Sequence, residues 1–244
     1  MEYNKDNINN ILYNANEIVN HINTLGICVL EDYFTQEECS QAKKELDYCF
    51  NEYKDNVQVL IHEGCGGDER LFSVERQSTI AKKFAEDELL SQVCSKYLGE
   101  AGRCHQVLAG RLTADKGKVI NSGGGWHRDS NTKQFKALAY LTDVNEKNGP
   151  YMFIPSSVNL RGELRQDIRG TRFTDDGIAN LCESNGIKPF VVTAKAGTVI
   201  LTATNNIHRG ANIEEGQRYS FTNYYYPANM PTKKTWEKWS VPVK

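Results

Sequence analysis

The sequence predicts an α+β chain in which helices come first and short strands follow, the strands forming a sandwich or small barrel with the helices packed on its outside. Three observations carry that prediction. Apolar residues recur at three- and four-residue steps through most of the first hundred positions. From Cys104 onward the period shortens to two, and Gly, Pro and Asn punctuate it. No internal repeat, low-complexity tract or linker marks a boundary, so one domain is expected over 1–244, with 1–100 mainly helical support and 101–244 the barrel core.

Ile8, Ile11, Leu12, Ala15, Ile18, Val19, Ile22 and Leu25 share one face of a first helix that Gly26 closes. The apolar run Ile27 to Leu30 reads as a strand. Thr35-Gln36-Glu37-Glu38 then has the form of a capping box, its hydroxyl and carboxylate each satisfying a free backbone N–H. The helix it opens carries Cys39, Ala42, Leu46, Cys49, Phe50 and Tyr53 on one side. Val57 to His62 reads as a strand, and a third helix is expected from Ser78 to Leu98, stopped by Gly99. The later strands are expected at Cys104–Thr113, Trp126–Asp129, Phe135–Asp143, Tyr151–Ile154, Pro189–Ala194, Thr198–Ala203 and Arg218–Tyr226, with a short helix near Asp175–Glu183. Lid and specificity residues are expected in the long connections Gly64–Glu75 and Val158–Lys188.

Lys plus Arg number 29 and Asp plus Glu 31, a net charge of −2, so no cationic excess is present to neutralise a nucleic acid backbone. No basic segment followed by an apolar run opens the sequence, and no stretch of about eighteen apolar residues occurs. The expectation is a cytoplasmic protein whose partner is a small molecule rather than nucleic acid or membrane. Seven cysteines, an odd number without C-x-x-C spacing, read as reduced thiols acting as small core hydrophobes.

His127-Arg128-Asp129 sets an imidazole and a carboxylate two apart, on one face of an extended strand. That pair can share a metal ion, and His208, following the Thr198–Ala203 strand, is the candidate third ligand. Two histidines and a carboxylate with positions left open form the facial triad of non-haem Fe(II) oxygenases. On these three residues alone, ordinary structural histidines are the favoured reading. Arg218-Tyr219-Ser220 again puts two polar groups on one face, and the aromatic run through Tyr226 argues that the guanidinium is buried and requires an anion. A guanidinium beside a hydroxyl can grip the far carboxylate of a dicarboxylic acid whose 2-oxo end chelates the metal.

With these residues in hand, most of the chain resembles the phytanoyl-CoA dioxygenase-like family of Fe(II)- and 2-oxoglutarate-dependent oxygenases. The likeness runs through Leu25 to Thr35, Trp126-His127-Arg128-Asp129, Leu141-Thr142-Asp143-Val144, Asn148-Gly149-Pro150, Ile154-Pro155-Ser156-Ser157, Ala196-Gly197-Thr198, His208-Arg209-Gly210 and Arg218-Tyr219-Ser220. Ser156-Ser157 departs from the family's Gly-Ser, and the histidine that follows there is absent.

The resemblance implies a double-stranded β-helix, a cupin-like jelly-roll barrel with Fe(II) at its mouth. It also implies consumption of 2-oxoglutarate and O₂, release of succinate and CO₂, and hydroxylation of a substrate C–H. His127, Asp129 and His208 would hold iron, and Arg218 and Ser220 the 2-oxoglutarate, with Asn121 a further candidate. Related halogenases have a small residue where this chain has Asp129, so the carboxylate favours hydroxylation. Family members act on acyl, amino-acid, natural-product and sugar derivatives.

Arg111, Arg128, Lys133 and Arg209 place cationic groups in segments around the expected pocket; they fit an anionic substrate or, equally, a solvated surface set. His21, His62 and His105 read as structural or exposed. Asn205 and Asn206 read as turn residues, and Gly123-Gly124-Gly125 as an approach to the metal motif rather than a phosphate loop. The alternatives are a catalytically silent cupin-like barrel binding a metal or ligand, and the same site ending in desaturation or epimerisation.

Overall fold

The computed structural model describes residues 14–63, 67–116, 118, 120–121, 124–160, 172–230 and 234–243. Helix α1 (Ala15–Leu25) opens on the Asn14 side chain, which accepts the Asn16 N–H, and ends at Gly26, whose φ of 89° lets its N–H return to the Ile22 carbonyl. The expected start of this helix at Ile8 lies outside the described residues. Strand β1 (Ile27–Leu30) follows directly. Helix α2 (Gln36–Glu52) carries the capping box read from the sequence: the Thr35 hydroxyl accepts from Glu38 N–H at 3.1 Å and the Glu38 carboxylate accepts from Thr35 N–H at 2.9 Å.

The single helix expected over 78–98 is two, α3 (Thr79–Ala85) and α4 (Glu88–Leu98). Asp87 divides them, because its carboxylate accepts the Leu90 N–H at 3.0 Å and restarts the chain as an N-cap. Upstream lie β2 (Leu60–Glu63) and β3 (Asp68–Phe72), the second in a stretch read from sequence as a connection. The remaining elements are β4 (Gly102–Thr113), β5 (Ile120–Asn121), β6 (Phe135–Tyr140), β7 (Tyr151–Phe153), α5 (Asp175–Ser184), β8 (Phe190–Val192), β9 (Val199–Ala203), β10 (His208–Gly210), β11 (Asn212–Ile213), β12 (Gln217–Pro227) and α6 (Lys234–Trp239). The strand expected at Trp126–Asp129 is reduced to two isolated bridges, Trp126 to Phe173 and His127 to His208.

An antiparallel seven-stranded sheet runs β1-β9-β6-β12-β4-β3-β2, a three-stranded sheet runs β10-β7-β8, and β11 pairs with β5. Three of the seven strands come from the first hundred residues, which the sequence reading assigned chiefly to helices. Strand alternation gives the large sheet two faces. On β12, Tyr219, Phe221 and Tyr225 join the helices in one core, and so do Ala109 and Val107 of β4 and Phe135, Ala137 and Ala139 of β6. The opposite parity faces the small sheet. There Ile27, Val29, Tyr140, Tyr151, Phe153, Val192 and Ile200 form a second core. Each large side chain fully buried in this way contributes about 2 kcal/mol. The Tyr140 hydroxyl locks the two sheets together, donating to the Val192 carbonyl at 3.1 Å and accepting the Tyr151 N–H at 2.7 Å.

Candidate metal centre

The inner face of the large sheet and the small sheet enclose a cavity of about 380 Å³. Strand register lays its floor in rows. Arg218 of β12 lies beside Leu112 and, on β3, Asp68; Ser220 lies beside Gly110 and Arg70; Tyr224 lies beside Lys136 of β6, which pairs with Thr202 of β9. All of these line the cavity.

His127 and His208 meet across an antiparallel bridge, with His127 N–H donating to the His208 carbonyl at 3.0 Å and the reverse bond at 2.9 Å. Their ring centroids are 4.4 Å apart. His127 Nδ1 lies 2.8 Å from the Gly125 carbonyl and His208 Nδ1 2.9 Å from the Asn206 carbonyl, so each Nδ1 carries the proton and each Nε2 presents a lone pair. The glycine-rich approach thus supplies the carbonyl that orients His127. Asp129 N–H donates to the Thr204 carbonyl at 3.0 Å, which sets the carboxylate between the rings, Oδ1 3.6 Å from His127 Nε2 and Oδ2 3.6 Å from His208 Nε2. Among the described residues these three are the His, Cys, Asp and Glu cluster suited to a metal ion, their ligand atoms all within 4.8 Å.

Burial pushes the His208 imidazole down to about 4, against the pull of Asp129, so it stays neutral, as a ligand must. Burial opposes charge on Asp129 as well, but Lys136, the hydrogen bond to His127 and the His208 ring together hold its carboxyl well below the usual range. Lys136 Nζ lies 2.7 Å from Asp129 Oδ2.

At the other end of the cavity floor Arg218 is 5% exposed. Its Nη1 donates to the Gly149 carbonyl, and its buried Nε has no partner. Burial lowers its guanidinium below the ordinary range, partly offset by Tyr140 and Asp68. A buried donor left this way calls for an acceptor from a ligand.

The structure therefore brings His127, Asp129, His208, Arg218, Ser220 and Arg128 to one cavity. Asn121 sits on β5 opposite Asn212, and its side chain lies outside the described residues. Three cations expected around the pocket are elsewhere. Arg111 points to the opposite face of β4 from Gly110 and Leu112, where Glu69 holds it at 2.6 and 2.9 Å and its guanidinium lies 4.4 Å from the Phe50 ring centroid. Arg209 alternates away from His208, onto Asp175 at 3.0 Å and over Trp126. Lys133 donates to the Tyr97 carbonyl at 3.1 Å.

Sequence reasoning did not single out Asp68, Arg70 or Lys136, although the first two fall in the Gly64–Glu75 connection expected to carry specificity residues. Asp68-Glu69-Arg70 is too short and charged to read as a strand. Lys136 had a legible signal, being a lone cation in an apolar strand with the same parity as Leu138 and Tyr140. Ser156, where the family pattern has Gly, takes φ 51°, the left-handed conformation that explains a glycine there. Ser157 is fully buried, accepting Ile207 N–H at its hydroxyl (2.6 Å) and Arg128 at its carbonyl (2.8 Å), so this segment positions both the His208 turn and Arg128.

A family model described as phytanoyl-CoA dioxygenase (PhyH) matches residues 22–218. An ectoine dioxygenase of Bordetella bronchiseptica is 26% identical, over 77% of this chain and 66% of that protein, so the chain spans slightly under two thirds of that relative's length. The crystal structure of EctD from S. alaskensis with bound Fe superposes with a TM-score of 0.69 at 21% identity, covering 89% of this chain and 78% of that one. HygX from Streptomyces hygroscopicus, solved with nickel, 2-oxoglutarate and hygromycin B, superposes with a TM-score of 0.64 at 18% identity, covering 87% of each. The fold is the double-stranded β-helix of these oxygenases.

Proposed function

The chain belongs to the phytanoyl-CoA dioxygenase (PhyH) family, and from that premise we propose that it is an Fe(II)- and 2-oxoglutarate-dependent dioxygenase that hydroxylates a C–H bond of a small, anionic metabolite, releasing succinate and CO₂. One observation carries the reading. Two imidazole Nε2 atoms and a carboxylate converge in a cavity that also holds a buried guanidinium with an unpartnered Nε. The donor set fits ferrous iron, since two neutral nitrogens and one carboxylate on one side leave the other coordination positions open.

His127, Asp129 and His208 hold the metal, and the Gly125 and Asn206 carbonyls keep both rings turned toward it. Arg218 and Ser220 bind the far carboxylate of 2-oxoglutarate. Iron, when bound, supplies the activation of O₂ coupled to decarboxylation of the 2-oxo acid. The protein's part is to orient both substrates and exclude water. The substrate is a small molecule; Arg128, beside the triad and with no carboxylate at ion-pair distance among the described residues, favours one that carries an anion. The range 1–244 is read as one dioxygenase domain. A cytoplasmic setting accords with cysteines that form no disulfide among the described residues; burial pushes Cys28 and Cys94 up to about 12. No described helix is long and apolar enough to cross a membrane.

The test is an anaerobic titration of the metal-free protein with Fe(II) and then 2-oxoglutarate, in the parent and in Arg218→Ala. The expected result is a visible metal-to-ligand charge-transfer band in the parent, reached only at much higher 2-oxoglutarate in the variant. Absence of the band with iron demonstrably bound would overturn the reading in favour of a binding barrel.

A further inference from the structure

Lys136 is a buried cation that the catalytic reading above leaves without a task. It is the second residue of β6, flanked across the sheet by Thr202 and Tyr224. Its side chain is 13% exposed, and its ammonium lies 4.3 Å from the Tyr224 ring centroid and 2.7 Å from Asp129 Oδ2. Among the described residues Asp129 is the carboxylate at ion-pair distance from it. The oxygen it holds is the one facing His208 Nε2 at 3.6 Å.

Charge and position define what such a group does. While the metal is away, ammonium and carboxylate neutralise one another in a desolvated place. A divalent cation entering between His127, His208 and Asp129 puts two further positive charges beside the ammonium, with one carboxylate to serve both. The ammonium then weakens the metal's hold on Asp129, and the surplus charge is relieved by an anion arriving next to the metal. Arg218 cannot serve that anion. It lies six residues from Tyr224 along β12, roughly 20 Å of extended strand from the row that holds Lys136. The two cations therefore address opposite ends of the cavity.

We propose that Lys136 couples metal occupancy to anion binding: it is the counter-ion of Asp129 in the metal-free protein and, once Asp129 is engaged by the metal, it takes the carboxylate adjacent to the 2-oxo group of the co-substrate. The inference rests on the dioxygenase reading and adds to it a residue that makes metal and 2-oxo acid bind cooperatively.

The experiment is calorimetric, on the full chain with Co(II), a metal that binds without turnover. Wild type is compared with Lys136→Met, which keeps the side-chain volume, and melting of both confirms folding. The metal-free variant is expected to bind Co(II) about tenfold more tightly, because the competing ammonium is gone. Its cobalt form is expected to bind 2-oxoglutarate and pyruvate at least tenfold more weakly, the size of a lost charge-assisted hydrogen bond. Butyrate, which keeps the far carboxylate and lacks both the 2-oxo group and the carboxylate beside it, is expected to bind both forms alike. A variant with weaker Co(II) binding and unchanged affinity for both 2-oxo acids would make Lys136 a mere strut for Asp129 and overturn the inference, as would a loss confined to butyrate. Failure of the wild-type cobalt protein to bind 2-oxoglutarate at all would overturn the dioxygenase reading and this inference with it. Binding that Lys136→Met leaves untouched would overturn the inference alone.

Discussion

His127 and His208 are joined by a reciprocal pair of backbone hydrogen bonds, 3.0 and 2.9 Å, so the main chain sets the two imidazoles side by side and the Gly125 and Asn206 carbonyls then orient the rings. Residues 81 positions apart in sequence (208 − 127) share a site because a two-residue bridge extends the small sheet toward the metal motif.

It follows that His208→Ala leaves the bridge intact. The expected outcome is a melting temperature within a few degrees of wild type, with Co(II) affinity lowered by about two orders of magnitude or more, measured by calorimetry. Unfolding of the variant would show that the imidazole, and not the bridge, organises the turn.

Gly110 leaves the floor open between Ser220 and Arg70; an added Cβ there would stand 3.2 Å from the Ser220 hydroxyl. Gly110→Val should weaken 2-oxoglutarate binding to the metal-loaded protein by tenfold or more while leaving metal affinity unchanged. Equal 2-oxoglutarate affinity in the two proteins would place the co-substrate away from this row.

Arg111, across the strand from the cavity, holds β4 to Glu69 and covers Phe50. Its side chain is 21% exposed, so Arg111→Ala is expected to cost stability of about 1 kcal/mol, through lost packing as much as charge. Denaturant titration reads that loss, and 2-oxoglutarate affinity should not move. A change in affinity would restore Arg111 to the site.

Glu75 accepts the Val107 N–H at 2.9 Å, yet burial raises its carboxyl above the ordinary value. A folded-state value raised in this way favours the protonated form. Its contribution to stability is present below the unfolded value of about 4.3 and is lost as pH rises through the higher folded value. Glu75→Gln keeps an acceptor for Val107 without the charge. The variant should melt higher than wild type at pH 7.5, and the gap should close toward pH 4.5. A constant difference across that range would exclude the carboxyl's ionisation as its source.

Much of the local structure was legible because its causes span only a few residues. Thr35 with Glu38, Gly26 and Gly99 end or begin helices by satisfying neighbouring backbone groups, and the parity of Arg218 and Ser220 follows from the strand period. His127 and Asp129 could be named for the same reason, their spacing being local, whereas His208 was named from its place after the Thr198–Ala203 strand and from the family likeness. The break at Asp87 was missed because continued apolar periodicity outweighed one capping side chain.

Local sequence was therefore enough for the caps at Thr35, Gly26 and Gly99 and for the residue types that could meet a metal and a dicarboxylate. Which cations meet them was settled by packing between distant elements. Arg111, Arg209 and Lys133 turn to acids, rings and carbonyls elsewhere, while Asp68, Arg70 and Lys136 face the cavity. A strand's period fixes which residues share a face, but which face is enclosed depends on what packs against it. Here that is set by a second sheet and by β3, brought together from distant parts of the chain.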